Sequence, residues 1–175
     1  MQLSIKPQFF DDHHAHQAKR QLQNVDFFYL LKLDHLSPEE KRLQIERIHR
    51  IAFLHFLNID LPNLLPPADI KILEDMTQNI NDIDLNKVED FIRGKVKGFD
   101  QLLIEKENSV KITSLIGHYE KEIQTLKLQQ QLTGADYLVQ ILAVERILKA
   151  INFGDWEVVE ATVDQTRTHT SYTQH

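Results

Sequence analysis

The sequence predicts an all-α fold, a single-domain bundle of five to six main helices closed by a short C-terminal helix. Three observations carry that prediction. Apolar residues recur at three- and four-residue spacings along most of the chain, the periodicity of helices with one buried side. Only five Gly and five Pro are spread over 175 residues, too little turn material for a many-stranded β fold. A composition of 42% hydrophobic and 26% charged residues is that of a globular chain, and one of this length can fill a core without disulfides, which the absence of Cys excludes.

Taken in order, residues 1–8 alternate weakly and read as a short extended arm, because Pro7 discourages helix before it. A first helix is expected over 10–33, capped by Asp11 or Asp12, with Leu22, Val25, Phe28 and Leu31 or Leu33 as its apolar stripe. The second, 37–57, organises the rest. Ser37 can cap it, Pro38 suits the first helical position and Glu40 completes a capping box. At about 100° per residue, Ile45, Ile48, Ile51, Ala52 and Phe56 share one face, while Arg42, Glu46, Arg47, His49 and Arg50 share the other. His55 falls at the centre of the apolar face, and is expected there as a buried neutral imidazole bonded to a carbonyl or a polar side chain.

Residues 58–67 form the clearest loop, where Pro62, Pro66 and Pro67 block helix and Leu61, Leu64 and Leu65 pin the chain to the core. A third helix follows over 68–80 on Ile70, Leu73 and Met76. A fourth starts at Leu85 behind Asp84 and carries Val88, Phe91, Ile92, Val96, Phe99 and Leu103. The fifth, 110–131, has the cleanest period: Ile112, Leu115, Ile116, Tyr119, Ile123 and Leu126 fill one sector. The sixth, 135–152, is apolar round most of its circumference and is therefore expected at the centre of the bundle. Gly154 can end it in the left-handed conformation, and Asp155 can cap a last short helix bearing Trp156, Val159 and Val163. The domain is thus expected to run over 1–165, with 166–175 a flexible tail.

A net charge of −6 argues against general nucleic-acid binding, and no apolar run approaches the roughly 20 residues of a membrane span. The N-terminus lacks the basic-then-apolar layout of a secretory signal, so a soluble cytoplasmic protein is expected. Without Cys there is neither a thiolate zinc site nor a cysteine nucleophile.

Four groups of residues bear on function. Glu46 and His49 form an E-x-x-H pair, which resembles the ligand spacing of ferritin-like di-iron proteins and implies a metal site. Both lie on the charged face and no second E-x-x-H occurs, so a solvated Glu-Arg-His face is the expected reading, with no metal. Arg50 and His55 make an R-x4-H spacing that resembles the motif of HEPN-type helical ribonucleases. That resemblance implies RNA cleavage by the Arg and His in a dimer cleft. On an unbroken helix, however, the two side chains stand about 140° apart. Arg93, Lys95 and Lys97 alternate with Gly94 and Gly98; the two Gly call for close helix packing, a local break or a bound anion. Trp156 is a large aromatic on a short helix, read as a lid on the core or as an anchor for a partner. The histidines His13, His14 and His16 read as a polar terminus, and His118 with Glu122 as a surface hydrogen bond.

Together these predict a non-enzymatic helical interaction protein without cofactor, an adaptor or a homo-oligomer such as a dimer. Its partner is a protein or a second copy, with Arg93, Lys95, Lys97 and Trp156 as binding residues. The alternative is a HEPN-like ribonuclease or RNA-binding protein using Arg50, His55 and the basic strip.

Overall fold

The computed structural model describes residues 22–77 and 84–172. The expected arm, the start of the first helix and His13, His14 and His16 lie outside the described residues. Among the described residues there are seven α-helices and no strand. They are α1 (Phe27–Leu30), α2 (Pro38–His55), α3 (Pro67–Thr77), α4 (Leu85–Lys95), α5 (Phe99–Thr133), α6 (Leu138–Phe153) and α7 (Trp156–Tyr172). The all-α class is as predicted; several boundaries are not. Of the described residues, Ser37–Val110 form one compact unit, and those up to Leu36 and from Lys111 onward form another.

In the unit Ser37–Val110, α2 opens on the capping box. The Ser37 hydroxyl accepts from the Glu40 N–H at 3.3 Å, and the Glu40 carboxylate accepts from the Ser37 N–H at 2.8 Å. Its buried face, however, is turned from the expected one. Ile48, Ala52, Phe53 and Phe56 are buried, whereas Ile45, Ile51 and His55 are exposed. The apolar arc of this helix is broad, since Leu43, Leu54 and Leu57 extend it on both sides, and two Phe decide which edge faces inward. An aromatic ring removes more area from water than an aliphatic side chain. Both rings meet Phe99 edge-on, with centroids 6.4 Å (Phe53) and 5.4 Å (Phe56) away. Leu61, Leu65, Leu73, Val88, Ile92, Val96 and Leu103 complete this core.

The Pro-rich stretch is not an open loop. After α2 the backbone widens into a π-turn, Phe56–Asp60, where the Leu61 N–H donates to the Phe56 carbonyl five residues back, and then tightens into a 3-10 turn, Leu61–Asn63. Leu61 and Leu65 are pinned inward as expected, but Leu64 is exposed. The expected fourth helix is broken. α4 ends at Lys95, Val96 is extended, Gly98 takes a left-handed φ of +76°, and α5 begins at Phe99 and runs unbroken through the expected fifth helix. Of the three explanations open for the glycines, the local break is the one seen. A Cβ at Gly94 or Gly98 would meet nothing within 4 Å, so neither serves close packing.

In the other unit, Asp26 caps α1 by accepting from the Phe28 and Tyr29 N–H groups. The expected first helix is reduced to this one turn and a 3-10 turn at Leu22–Asn24. The buried Tyr119 of α5 donates its hydroxyl to the Leu30 carbonyl. α6 packs along α7, burying Ile141, Val144, Ile147, Ala150 and Ile151 on one side and Trp156, Val159 and Val163 on the other. Gly154, at φ +70°, separates them as expected.

α7 then continues to Tyr172, so 166–172, expected as part of a tail, are helical. No Gly or Pro stops it after Trp156, and Arg167 fastens it. The Arg167 guanidinium donates to the Tyr29 carbonyl at 3.1 Å and to Asp34 at 2.5 Å, and lies 4.2 Å over the Tyr29 ring.

Candidate functional site

The most unusual surface of the molecule is the outer side of α6. The sequence makes this helix apolar nearly all round, and α7 covers only half of it. That corrects the expectation of a central helix. Leu138 (54% exposed), Leu142 (54%) and Phe153 (68%) stand in solvent opposite the buried side. They share their stripe with Glu145, Arg146 and Lys149, all exposed. Among the described residues these three charges make no hydrogen bond or ion pair. Asp136 fixes where the stripe begins by accepting from the Leu138 N–H at 2.9 Å. The stripe recurs at spacings of four and three, the pattern of a helix–helix seam rather than of scattered surface leucines. The chain that leads into α6 is also bare: Leu128 and Leu132, in the last turns of α5, are exposed.

A second cluster lies within the unit Ser37–Val110. His49 was expected on the charged, solvated face of α2, but the rotation of that helix turns it half inward. Its Nδ1 lies 2.7 Å from Glu107 of α5 and its Nε2 lies 2.9 Å from Glu89 of α4, while the ring stacks on Phe53. Two acceptors on one ring require two N–H donors, which only the imidazolium offers. Burial, the largest single influence, pulls the ring toward neutrality. The hydrogen bonds and charges of Glu107 and Glu89 outweigh it and hold His49 above its usual value. The arrangement clamps three helices; it does not chelate, because the carboxylates occupy opposite ends of the ring. Among the described residues no group of three or more His, Asp or Glu is disposed to hold a metal ion. Glu46, the other half of the E-x-x-H pair, is exposed and bonded to Arg42.

The remaining sequence-predicted residues are placed as follows. Arg50 and His55 are both exposed on the unbroken α2, so the buried imidazole predicted at position 55 is corrected. The basic strip is largely neutralised. Arg93 bonds Asp100 at 3.0 Å and Asp90 at 2.8 Å, Lys95 bonds Asp69 at 3.0 Å, and Lys97 is exposed. Trp156 is buried in the α6–α7 core. His118 is half-buried 3.8 Å from Glu122, too far for the expected hydrogen bond, because Glu122 turns to Lys32 at 2.6 Å.

The α6 stripe was legible as hydrophobicity but not as surface, since periodicity alone cannot tell an uncovered apolar side from a covered one. No protein-family model, curated protein or solved structure matches this chain.

Proposed function

We propose that this is a helical interaction protein that works through protein–protein contacts made by the outer side of α6. The observation that carries the reading is the stripe of Leu138, Leu142 and Phe153, more than half exposed on a helix whose other side is already buried. Contiguous apolar surface of this kind on a folded protein marks a contact site. The unpaired charges among the apolar residues supply specificity, because each must find a counterpart when water is removed.

The ribonuclease reading draws less support. It needs Arg50 and His55 to converge and a free basic strip to hold phosphates. The pair points apart on one helix, and two of the three cations are held by carboxylates. The residues Lys97 and Trp156, named as contact residues on sequence grounds, have no part in the proposal; Trp156 holds α6 against α7 instead.

The experiment is photo-crosslinking in living cells from a reactive amino acid placed at Leu142. A discrete adduct, formed with another protein or with a second copy, is the expected result. Unmodified chain alone after illumination, from a folded and expressed variant, overturns the reading.

A further inference from the structure

We propose that the occupant of the α6 stripe is a second copy of this chain, bound through an antiparallel, two-fold pairing of α6 with α6. The inference rests on the contact function assigned to this face and adds its partner and its geometry. Its basis is that the exposed stripe is self-complementary when reversed. Pairing about a two-fold axis between positions 145 and 146 sets each residue opposite the one equally far beyond the axis. Leu138 of one copy then meets Phe153 of the other, and Leu142 meets the aliphatic stem of Lys149. At the centre Glu145 meets Arg146, twice over by symmetry.

Every element of that match is on the molecule's surface. The apolar pair at each end is more than half exposed, and the three charged residues make no hydrogen bond or ion pair with any described residue. Within one helix Glu145 and Arg146 are adjacent and cannot face each other, since neighbouring positions diverge by about 100°. Across the dyad they can. The parallel alternative places Glu145 on Glu145 and Arg146 on Arg146, which like-charge repulsion disfavours, so the charges select the antiparallel arrangement. The Lys149 stem lies along Leu142 while its ammonium stays near the second copy's Glu145.

The seam spans the 16 residues of α6, about 24 Å of helix. Interfaces of that extent lie at the small end of the stable range, so a dimer that dissociates in the micromolar range is expected.

The test is sedimentation of the purified full chain with four variants of exposed residues, each checked for native circular dichroism. Wild type is expected to dimerise. Leu142→Glu, Glu145→Arg and Arg146→Glu are each expected to weaken the dimer by about tenfold or more, as the loss of packing or of charge pairing implies. The double swap Glu145→Arg/Arg146→Glu restores complementarity and is expected to restore the dimer. Mixing the two single charge variants is expected to give a heterodimer from two chains that associate poorly alone. A wild type that stays monomeric at hundreds of micromolar overturns this inference while leaving an adaptor role to the cross-linking result. A dimer indifferent to all four variants overturns it too, and leaves self-association through another face.

Discussion

Replacing His49 by Phe isolates what the Glu89–His49–Glu107 bridge contributes, because the new ring keeps the volume and the stacking on Phe53 while losing both donors. A hydrogen bond to a charged group contributes about 1.5–3 kcal/mol, so the two bonds at 2.7 and 2.9 Å have a ceiling of about 3–6 kcal/mol. The ring is 40% exposed and solvent screens the pair, which brings the expected cost down to about 2 kcal/mol. The single Trp, Trp156, belongs to the other unit, so its fluorescence is the wrong reporter. Hydrogen exchange of the α4 amides, Leu85–Lys95, reads the right one, and about 2 kcal/mol corresponds to roughly 30-fold lower protection. The sign of the pH dependence follows from the raised titration of His49. The bridge is fully present below the unfolded imidazole value, near 6.5, and fades as pH climbs through the higher folded value. Wild type and His49→Phe should therefore differ most at about pH 6 and converge by about pH 8.5, after correction for intrinsic exchange. Equal protection at the lower pH would refute the bridge as an energetic clamp.

Three further predictions use the same logic. Gly98→Ala should destabilise by about 1–2 kcal/mol, because its φ of +76° crowds a Cβ, whereas Gly94→Ala, helical with open space around it, should stabilise by about 0.5–1 kcal/mol. Urea midpoints by circular dichroism moving in opposite directions are the check. Tyr119→Phe removes the buried donor to the Leu30 carbonyl and should cost about 1–3 kcal/mol, read by Trp156 fluorescence, which reports on that unit. The Arg167 guanidinium, through its hydrogen bond, holds the Asp34 carboxyl down at about 2, so the stability this contact confers is present above the usual carboxylate range and lost only as pH falls through that value. In Arg167→Met, carbon-detected titration should find Asp34 back near its ordinary value; an unmoved titration would place the cause elsewhere.

Caps were the most legible features of the sequence. Ser37 with Glu40, Asp84, Asp155 and Gly154 each act where the local pattern puts them, because a cap is decided by a handful of neighbouring backbone groups. Rotation about the helix axis was not legible. On α2 the apolar arc spans so much of the circumference that a turn of well under a right angle exchanges His55 for His49 as the inward imidazole, and only the distant Phe99 decides it. The break before α5 was one of three options open for Gly94 and Gly98, since a glycine states a freedom and not its use. On α6 the same leucines that suggest a core form a surface, because nothing local records how many sides a helix has covered.

The π-turn after α2 has a consequence for how this chain tolerates change. Each residue removed from or added to a helical segment swings everything beyond it by about 100°. Leu61 and Leu65 reach the core only with the phase that five residues in Phe56–Asp60 provide. Shortening that stretch by one would straighten the helix while aiming both leucines at water. The proline-rich bend, which looks like spare rope between two rods, is therefore a spacer of fixed count, closed to insertion and deletion even where its individual side chains are free to vary.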